Sequence, residues 1–362
     1  MATDKRKLTK RQKEIILYVV LAIIVIAFAI WYYYKYYYVV ESINTPIILE
    51  VEDNTSGDSE TVDVDGILQV HMIDCGQADS FLFEQNGEYG LIDCGTRSTG
   101  KDVVKYLQDE GVKELQFVVG THPHDDHMGG MYDVLNTFAC NIVYMPDIED
   151  GLVTTNWYMQ LMQKISKDKI KLVNPKVDDE FHLGEAIFKV VGQLTPEEAG
   201  SNINNYSTVI KVSFGTMDLL MTGDAETRVE TKMLETNEDE LQCEILKLGH
   251  HGSNTSTSDS FLKAVDPDYG LISCEVGNKY QHPSTETVKK LKKFKIKIYR
   301  TDETGSVVLT ISNDDVTFDK KAGDYKDGIT VANSVIKTGG LSWNWLVMLH
   351  LKDLREIMLF VK

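Results

Sequence analysis

The ten residues Thr121–Gly130 hold three of the nine histidines of the chain, with two aspartates between them. His122 and His124 are two residues apart, so their imidazoles can converge on one point of a turn. Asp126 and His127 can face a second point nearby. Imidazole nitrogens and carboxylate oxygens suit a borderline cation such as Zn²⁺, with Mn²⁺ as an alternative. We therefore expect this loop to bind two divalent metal ions.

A centre with two metal ions needs further ligands from elsewhere in the chain. Asp224 follows the predicted strand 217–221 in the sequence Thr-Gly-Asp, and its carboxylate is the natural bridge between the ions. His251, or its neighbour His250, is the natural last ligand because both follow the predicted strand 243–248. Two ions about 3.5–4 Å apart can hold an attacking hydroxide between them. We therefore expect a hydrolase that uses a metal-bridged hydroxide.

Substrate binding and proton transfer need side chains beside the metal ligands. His250, Tyr280 and His282 are candidates to hold the substrate or to protonate the leaving group. Asp126 is counted with them as catalytic, in addition to its role as a ligand. For Tyr280 the sequence supports a structural role as well as a catalytic one. The residues expected to orient the histidines without binding metal are Asp79 and Asp93.

These side chains must be positioned by strands and helices that the hydrophobic pattern predicts. Alternation of apolar and polar residues predicts a strand at 68–74, and Asn86-Gly87 predicts the turn of a hairpin after it. The apolar run 115–119 is the strand that delivers the metal loop. The other predicted strands are 80–83, 89–92, 186–191, 208–214, 217–221, 243–248, 268–273, 295–300 and 307–311. The predicted helices are 102–110, 131–138, 226–235 and 285–294.

The metal loop also resembles a known signature. His122–His127 reads His-Pro-His-Asp-Asp-His and resembles the H-x-H-x-D-H signature of the metallo-β-lactamase-like hydrolase superfamily. Further stretches are similar to the hydrolase domain of ComEC-type DNA-uptake (competence) proteins; they are Asp74–Phe83, Leu91–Gly95, Asn204–Val209, Thr222–Asp224, Leu246–Ser253, Tyr280–Pro283 and Arg300–Asp302. The resemblance covers roughly residues 67–312 and implies an α/β fold, the four-layer αββα sandwich of metal-dependent hydrolases.

One histidine of the superfamily pattern is missing. Most members place a further histidine between the metal loop and the bridging aspartate, where this chain has only His182 in a predicted edge hairpin. We expect His182 to be a surface residue. The ligands that the resemblance implies for a first ion are His122, His124 and Asp224, with help from Asn205. Those implied for a second ion are Asp126, His127, Asp224 and His251. The first ion is therefore expected to bind more weakly.

The N-terminal region has the composition of a membrane anchor. Six of the nine residues 5–13 are basic, and residues 15–34 form a run of twenty without a charge. Twenty helical residues at about 1.5 Å each match a hydrocarbon core of about 30 Å, and the basic flank is expected in the cytoplasm. The predicted organisation is a basic cytoplasmic tail 1–14, a transmembrane anchor 15–38, an acidic linker 39–65, an extracytoplasmic hydrolase domain 66–320 and a C-terminal tail 321–362 with an apolar helix.

The five cysteines are scattered, odd in number and never in a C-x-x-C pair. This pattern argues against a disulfide framework and against a cysteine zinc site. Cys75 and Cys94 end neighbouring predicted strands and could bridge, but we expect buried free thiols.

The charge of the chain bears on its substrate. The formal net charge is −18, and the residues after Lys35 hold 30 basic against 53 acidic side chains. Such a body repels a polyanion such as DNA at long range, unless a local patch reverses the field.

Together these features predict a membrane-anchored, extracytoplasmic, metal-dependent hydrolase of a phosphoester. The resemblance to DNA-uptake proteins favours a nuclease, whereas the anchor and the acidic charge favour a phosphodiester of the cell envelope. Hydrolysis of an amide or lactone bond, as in β-lactamases, is an alternative reaction. A non-catalytic metal-binding module is the alternative without an enzymatic activity. The expected partners are the phosphoester substrate and the cell membrane.

Overall fold

Two β-sheets are built from residues 66–337, which the computed structural model describes together with positions 11 and 64. Apart from those two positions, the predicted tail 1–14, anchor 15–38 and linker 39–65 lie outside the described residues. The predicted C-terminal apolar helix 341–362 lies outside them as well. Among the described residues, no helix combines the length and the apolar character that crossing a membrane requires.

The strands are numbered in chain order. They are β1 (Leu68–Met72), β2 (Phe81–Gln85), β3 (Glu88–Ile92), β4 (Glu114–Val119), β5 (Ala139–Tyr144), β6 (Lys171–Val173), β7 (Glu180–Leu183), β8 (Ala186–Gly192), β9 (Val209–Phe214), β10 (Met217–Met221), β11 (Ile245–Lys247), β12 (Tyr269–Ile272), β13 (Lys297–Arg300), β14 (Val307–Ile311) and β15 (Val316–Phe318).

The α-helices of the described region are Gly100–Asp109, Asp125–Met128, Met131–Thr137, Asn156–Asp168, Pro196–Ala199, Thr227–Thr236, Asp259–Val265, Thr285–Phe294, Thr301–Thr304 and Gly328–Lys337. Short 3₁₀ segments are Ile203–Tyr206, Glu238–Glu240 and Gly249–Gly252.

Each of the two sheets combines antiparallel strands with a set of parallel strands. Within residues 66–337 the first has eight strands in the order β15-β14-β1-β2-β3-β4-β5-β6, and the second has seven in the order β13-β12-β11-β10-β9-β8-β7. Strands β3 to β6 are parallel in the first sheet, and β10 to β13 are parallel in the second. Functional residues of α/β folds gather beyond the carboxyl ends of such strands. Here the loops after β3, β4, β10 and β11 carry the predicted site residues.

The space between the sheets is filled by apolar side chains. Alternate residues of the strands point into it, so period-two alternation in the sequence becomes one buried face. Phe83 and Phe117 each contact Phe188 of the opposite sheet edge-on, with ring centroids 5.1 Å apart. Edge-on aromatic pairs are favourable beyond the area that they bury. This cluster fixes the two sheets face to face.

The outer face of each sheet is covered by amphipathic helices. The helices packed on the first sheet are Gly100–Asp109, Met131–Thr137 and Asn156–Asp168. Those packed on the second sheet are Thr227–Thr236, Asp259–Val265 and Thr285–Phe294. The layers therefore follow the order helix, sheet, sheet, helix, and the predicted α/β fold with two sheets is confirmed.

Several predicted elements appear as expected. β10, β14 and the helix Thr285–Phe294 have the predicted bounds, and Asn86-Gly87 forms the turn between β2 and β3 with φ of 54° and 81°. A turn with two positive φ angles matches the twist of the strands it joins. The sequence pattern did not predict β5, the helix Asn156–Asp168, β6, the helix Asp259–Val265 or β15. All five cysteines are free, and all but the half-buried Cys140 are buried, as expected.

Candidate metal centre

The metal loop is held tightly against the loop that follows β3. β4 ends at Val119, and a short helix begins at Asp125. A Cβ on Gly130 would lie 2.1 Å from the carbonyl oxygen of Cys94, and one on Gly129 would lie 2.2 Å from the carbonyl oxygen of Asp125. No side chain fits at either position, since real contacts of a Cβ are never so short. The glycine pair therefore allows the loop after β4 to close around the site.

The histidine pair after β11 adopts an unusual backbone. His250 and His251 have φ of 50° and 52° within the turn Gly249–Gly252. This left-handed region costs a residue other than glycine on the order of 1–3 kcal/mol. Two successive left-handed residues separate the two imidazoles, so that His251 is buried in the centre and His250 remains partly exposed beside it.

The structure brings the six predicted metal ligands together in two groups that share Asp224. In each group the candidate ligand atoms lie within 4.8 Å of one another. The first group is His122, His124 and Asp224; the second is Asp126, His127, Asp224 and His251. His250 belongs to neither group, so of the two neighbouring histidines His251 is the one placed to bind metal.

Each carboxylate oxygen of Asp224 faces one group. Oδ1 lies 3.1 Å from Nε2 of His127 and 3.6 Å from Nε2 of His251. Oδ2 lies 3.8 Å from Nε2 of His122. The backbone N–H of Asp224 donates to the hydroxyl of Ser207 at 3.1 Å, which fixes the loop after β10. This is the arrangement that a bridging carboxylate requires.

Hydrogen bonds on the far side of the imidazoles fix which nitrogen faces the centre. Nδ1 of His127 lies 2.8 Å from a carboxylate oxygen of Asp93, and Nδ1 of His251 lies 2.9 Å from the carbonyl oxygen of Ser273. Both oxygens can only accept, so each Nδ1 carries a proton and donates. In the neutral rings the Nε2 lone pairs are therefore left to bind a cation.

His122 is held in the same way. Its Nδ1 lies 3.2 Å from the hydroxyl of Thr121, and that hydroxyl donates to Asp93 at 2.8 Å. The hydroxyl oxygen can then accept from Nδ1 of His122, which leaves Nε2 of this ring as the ligand atom. His124 presents Nδ1 instead, 3.0 Å from Nε2 of His122.

The carboxylates create a field that attracts positive charge. Burial favours neutral His127, but the carboxylates of Asp224 and Asp93 together outweigh it and raise the pKa of His127 well above its usual value. Likewise burial opposes protonation of His251, yet Asp224 and Asp79 raise its pKa to about 10. Burial, reinforced by the charge of His127, lowers the pKa of His122 well below its usual value. Protons and metal ions compete for such nitrogens, so metal binding should release protons.

The centre fits divalent metal ions by two tests. Buried Nε2 of His127, Nε2 of His251 and Oδ1 of Asp224 have no hydrogen-bond partner among the described residues. Buried polar atoms are otherwise almost always satisfied, because leaving one without a partner costs about 1–3 kcal/mol. The donor set of imidazole nitrogens and carboxylate oxygens is also the one that zinc and manganese accept. The residues present therefore fit a pair of divalent ions.

A buried ion pair lies behind the centre and was missed from the sequence. Lys247 is fully buried, and its ammonium donates to Asp79 at 2.6 Å and to the carbonyl oxygens of Gly223 and Leu248 at 3.2 and 2.9 Å. Asp79 in turn lies 3.3 Å from Nδ1 of His251. The signal was present in the sequence, since Lys247 interrupts an apolar strand three residues before His250.

An open cavity of about 260 Å³ lies over the two groups. His250 is one of its walls: Nε2 lies 3.7 Å from Oδ2 of Asp224, and Nδ1 lies 3.4 Å from a carboxylate oxygen of Glu226. His282 also lines the cavity, and burial together with the charge of His250 lowers the pKa of His282 to about 4. The exposed Tyr280 completes the rim, with its ring stacked on that of His282.

Three other residues from the sequence analysis lie in distinct surroundings. His182 is exposed on the edge strand β7, as expected for a surface residue. Arg300 is buried in a two-pronged ion pair with Asp302, at 2.9 and 2.7 Å, which gives it a structural role. Asn205 is buried in the segment Ile203–Tyr206, and its Oδ1 has no hydrogen-bond partner within the described region.

Comparison with known proteins places this fold and this site in a family. The sequence model of the Metallo-beta-lactamase superfamily matches residues 73–275, which is more than half of the chain. The chain belongs to the metallo-β-lactamase superfamily. This confirms the resemblance drawn from the metal loop.

Curated relatives include competence proteins. The chain is 27% identical over 268 residues to ComE operon protein 3 of Bacillus subtilis (strain 168), which covers 69% of this chain and 34% of that protein. It is 31% identical over 242 residues to Competence protein ComA of Neisseria gonorrhoeae, which covers 65% of this chain and 31% of that protein. The predicted similarity to competence proteins is confirmed. The chain spans about a third of the length of these relatives.

Among solved structures, the metallo-beta-lactamase fold protein YhfI from Bacillus subtilis is similar with a TM-score of 0.46 and 14% sequence identity. The match covers 68% of this chain and 99% of that one.

Proposed function

We propose that this chain is a metal-dependent phosphodiesterase whose leading substrate is a nucleic-acid strand, with a cell-envelope phosphodiester as the second candidate. The observation that carries the proposal is the buried carboxylate of Asp224, which is shared by two His/Asp groups at the floor of an open cavity. A pair of metal ions at such a centre suits in-line displacement at phosphorus. The similarity to competence proteins supports nucleic acid over other phosphoesters.

The substrate class is supported by the ligand count of the first group. His122, His124 and Asp224 are three ligands, whereas the second group has four. A site with three protein ligands keeps a position open for substrate. His182 is exposed on an edge strand and does not fill that position. The opening suits an oxygen of a phosphoryl group.

The residues have separate roles in this proposal. When bound, the two ions would supply Lewis-acid polarisation of the phosphoryl oxygens and a water of lowered pKa. The side chains of Asp93 and Thr121 and the backbone carbonyl of Ser273 hold the ligand imidazoles in the orientation that binding requires. Because these contacts are already formed, the ligand geometry does not have to reorganise during the reaction.

His250 is the group placed to give a proton to the leaving oxygen. Glu226 lies 3.4 Å from Nδ1 and the hydroxyl of Thr255 lies 3.2 Å from it, so this side of the ring is held within the protein. Nε2 lies on the side of Asp224 and the cavity. The ring is therefore held with Nε2 toward the cavity, within reach of a leaving oxygen, as a general acid needs.

His282 is better suited to hold the substrate than to donate a full proton. Its pKa of about 4 keeps the ring neutral at pH 7. Nε2 of the Gln77 amide lies 3.5 Å from Nδ1 of His282 and can only donate, so the ring proton is on Nε2 of His282. That N–H can donate to a phosphoryl oxygen in the cavity.

The location of the enzyme follows from the N-terminal sequence. The uncharged run 15–34 and the basic flank 5–13 support a single anchor with its N-terminus in the cytoplasm and the hydrolase domain outside. Protease treatment of intact cells should then remove the domain. A domain that stays intact under this treatment would reverse the proposed topology.

The proposed reaction is tested with the full-length chain and Zn²⁺ or Mn²⁺. We expect hydrolysis of bis(p-nitrophenyl) phosphate and of single-stranded DNA, and no hydrolysis of the β-lactam nitrocefin. Asp224→Ala should abolish phosphodiester hydrolysis because both ligand groups lose their shared member. His182→Ala is the matched control and should keep its activity. Full activity of Asp224→Ala with loss of activity in His182→Ala would overturn the ligand assignment, and turnover of nitrocefin alone would overturn the substrate class.

A further inference from the structure

The segment 279–297 reverses the charge of the protein locally. It has seven lysines and one acidic residue, Glu286, in a chain with a net charge of −18. We propose that its exposed lysines bind the phosphate backbone of a nucleic-acid strand and guide that strand into the cavity. This inference rests on the proposed phosphodiesterase function and names the polymer on which it acts. We call the surface formed by Lys279, Lys289, Lys292 and Lys295 the lysine ridge.

The lysine ridge begins at the rim of the cavity. Tyr280 and His282 line the cavity, and Lys279 directly precedes Tyr280 in the chain. The helix Thr285–Phe294 starts directly after its N-cap Ser284. Ten helical residues at about 1.5 Å each give about 15 Å. At a spacing of about 3.4 Å per phosphate along one strand, this length corresponds to about four phosphates.

The ridge lysines are exposed and available to a ligand. Lys289 and Lys292 are three residues apart, so they are neighbours on one face of the helix. The four ridge lysines make no ion pair with any residue that the structure describes, although acidic residues outnumber basic ones in the chain. Lys293 differs because it pairs with Asp259, and we leave it out of the ridge.

A favourable interaction with the helix dipole does not account for the positions of the ridge lysines. Cations are stabilising in the last turn of a helix, where Lys292 lies. Lys279 precedes the helix, Lys289 lies in its middle and Lys295 lies beyond its last residue, Phe294. A surface that binds a polyanion explains all of these positions together. It also supplies the local patch that DNA needs in order to approach an acidic protein.

Tyr280 selects nucleic acid from among the polyanions. Its side chain is 54% exposed at the cavity rim, an unusual degree for a large aromatic residue. Its ring lies over that of His282 with centroids 5.5 Å apart and planes at 24°, and the ammonium of Lys279 lies 4.9 Å from the ring centroid. Exposed aromatic rings beside basic side chains are how proteins stack the bases of single strands. An envelope phosphodiester polymer has no base to stack.

The first test measures binding of a short single-stranded DNA by the full-length chain at several salt concentrations. The variant combines Lys289→Gln, Lys292→Gln and Lys295→Gln. Each phosphate contact contributes about 0.7 to the slope of log affinity against log salt, so the slope should fall by about 2 and the affinity by at least about 10-fold at low salt. Turnover of bis(p-nitrophenyl) phosphate should be unchanged, because this small substrate does not reach the lysine ridge.

A matched control has the same change of charge elsewhere. Lys101, Lys113 and Lys167 are exposed and make no ion pair within the described region. Their triple change to glutamine should leave DNA affinity and its salt slope unaltered. An equal loss in both triple variants, or no loss in the ridge variant, would overturn the proposal. If the wild type binds DNA through the ridge but hydrolyses no phosphodiester, the proposed function fails while the binding surface stands.

The second test separates nucleic acid from other polyanions. Tyr280→Ala should weaken oligonucleotide binding, whereas Tyr280→Phe, which keeps the aromatic ring, should restore it. Inorganic polyphosphate of matched charge should compete poorly with the oligonucleotide. If polyphosphate competes equally well and Tyr280→Ala binds DNA normally, the ridge recognises phosphate polymers in general and the assignment to nucleic acid is wrong.

Discussion

The buried ion pair of Lys247 leads to a prediction about the thermal stability of the protein. Its ammonium is buried with Asp79 at 2.6 Å and also donates to the carbonyl oxygens of Gly223 and Leu248. Gly223 precedes the shared carboxylate Asp224. Lys247→Met keeps much of the volume of the side chain and removes the charge and its three hydrogen bonds.

The expected loss follows from the burial of both partners. Removing one member of a buried ion pair costs about 3–5 kcal/mol, because the charge of the other member is left uncompensated. For a domain of this size each kcal/mol lowers the melting temperature by about 2–4 °C, so Lys247→Met should melt about 6–20 °C below the wild type. The double variant Lys247→Met/Asp79→Asn, which removes both charges, should recover much of this loss.

Thermal unfolding of the full-length chain, followed by circular dichroism with and without a chelator, measures these effects. Melts in the chelator show the contribution of the ion pair apart from that of bound metal. The reasoning is refuted if Lys247→Met melts at the temperature of the wild type, or if the double variant is less stable than the single one.

Two further predictions concern stability away from the metal ions. Burial lowers the pKa of His71 in the folded state, so the folded state resists protonation of this ring. The stability of the fold should therefore fall as the pH drops below about 6.5, the pKa of a histidine in the unfolded chain. His71→Asn, which can keep the contact to the hydroxyl of Tyr106, should flatten this dependence in urea titrations with chelator; an unchanged slope would rule His71 out. Gly130→Ala should destabilise the chain more than Gly151→Ala. A Cβ on Gly130 would collide with backbone atoms, whereas a Cβ on Gly151 would meet no atom, and the only cost there is its positive φ of 81°. Equal melting temperatures for the two glycine variants would contradict the steric argument.

The parts of the fold that the sequence could predict are those where local pattern and tertiary packing agree. In β10 and β14 the residues alternate between the inter-sheet core and the outer face, so the period of two is visible in the sequence. The helix Thr285–Phe294 has a serine N-cap, a buried apolar stripe and lysines in its last turn. The metal loop was predictable because its ligands are close together in the chain.

The missed elements depend on their neighbours. Only one of the six residues of β5 is buried, and β6 has three residues, so neither has a clear period of its own. β5 becomes a strand because β4 offers it a parallel partner, and β6 becomes one because β5 does. The helix Asn156–Asp168 buries only Leu161 and Ile165 completely, which gives a weak pattern.

Two features of the site could not be predicted from neighbouring residues alone. The choice between His250 and His251 as the ligand depends on the left-handed backbone of both, which turns one ring inward and leaves the other at the cavity. The partner of Lys247 is Asp79, and only the packing of the two sheets brings these residues together. A buried lysine is visible in the sequence as a break in an apolar strand, but its role is not.

The most direct test of the account is a calorimetric titration of the full-length chain with Zn²⁺. We expect two ions per chain, with the three-ligand group of His122, His124 and Asp224 the weaker site. His122→Ala should remove only the weaker site, whereas Asp224→Ala should weaken both, because each group uses one oxygen of its carboxylate. An Asp224→Ala variant that still binds two ions with the affinities of the wild type would contradict the shared centre.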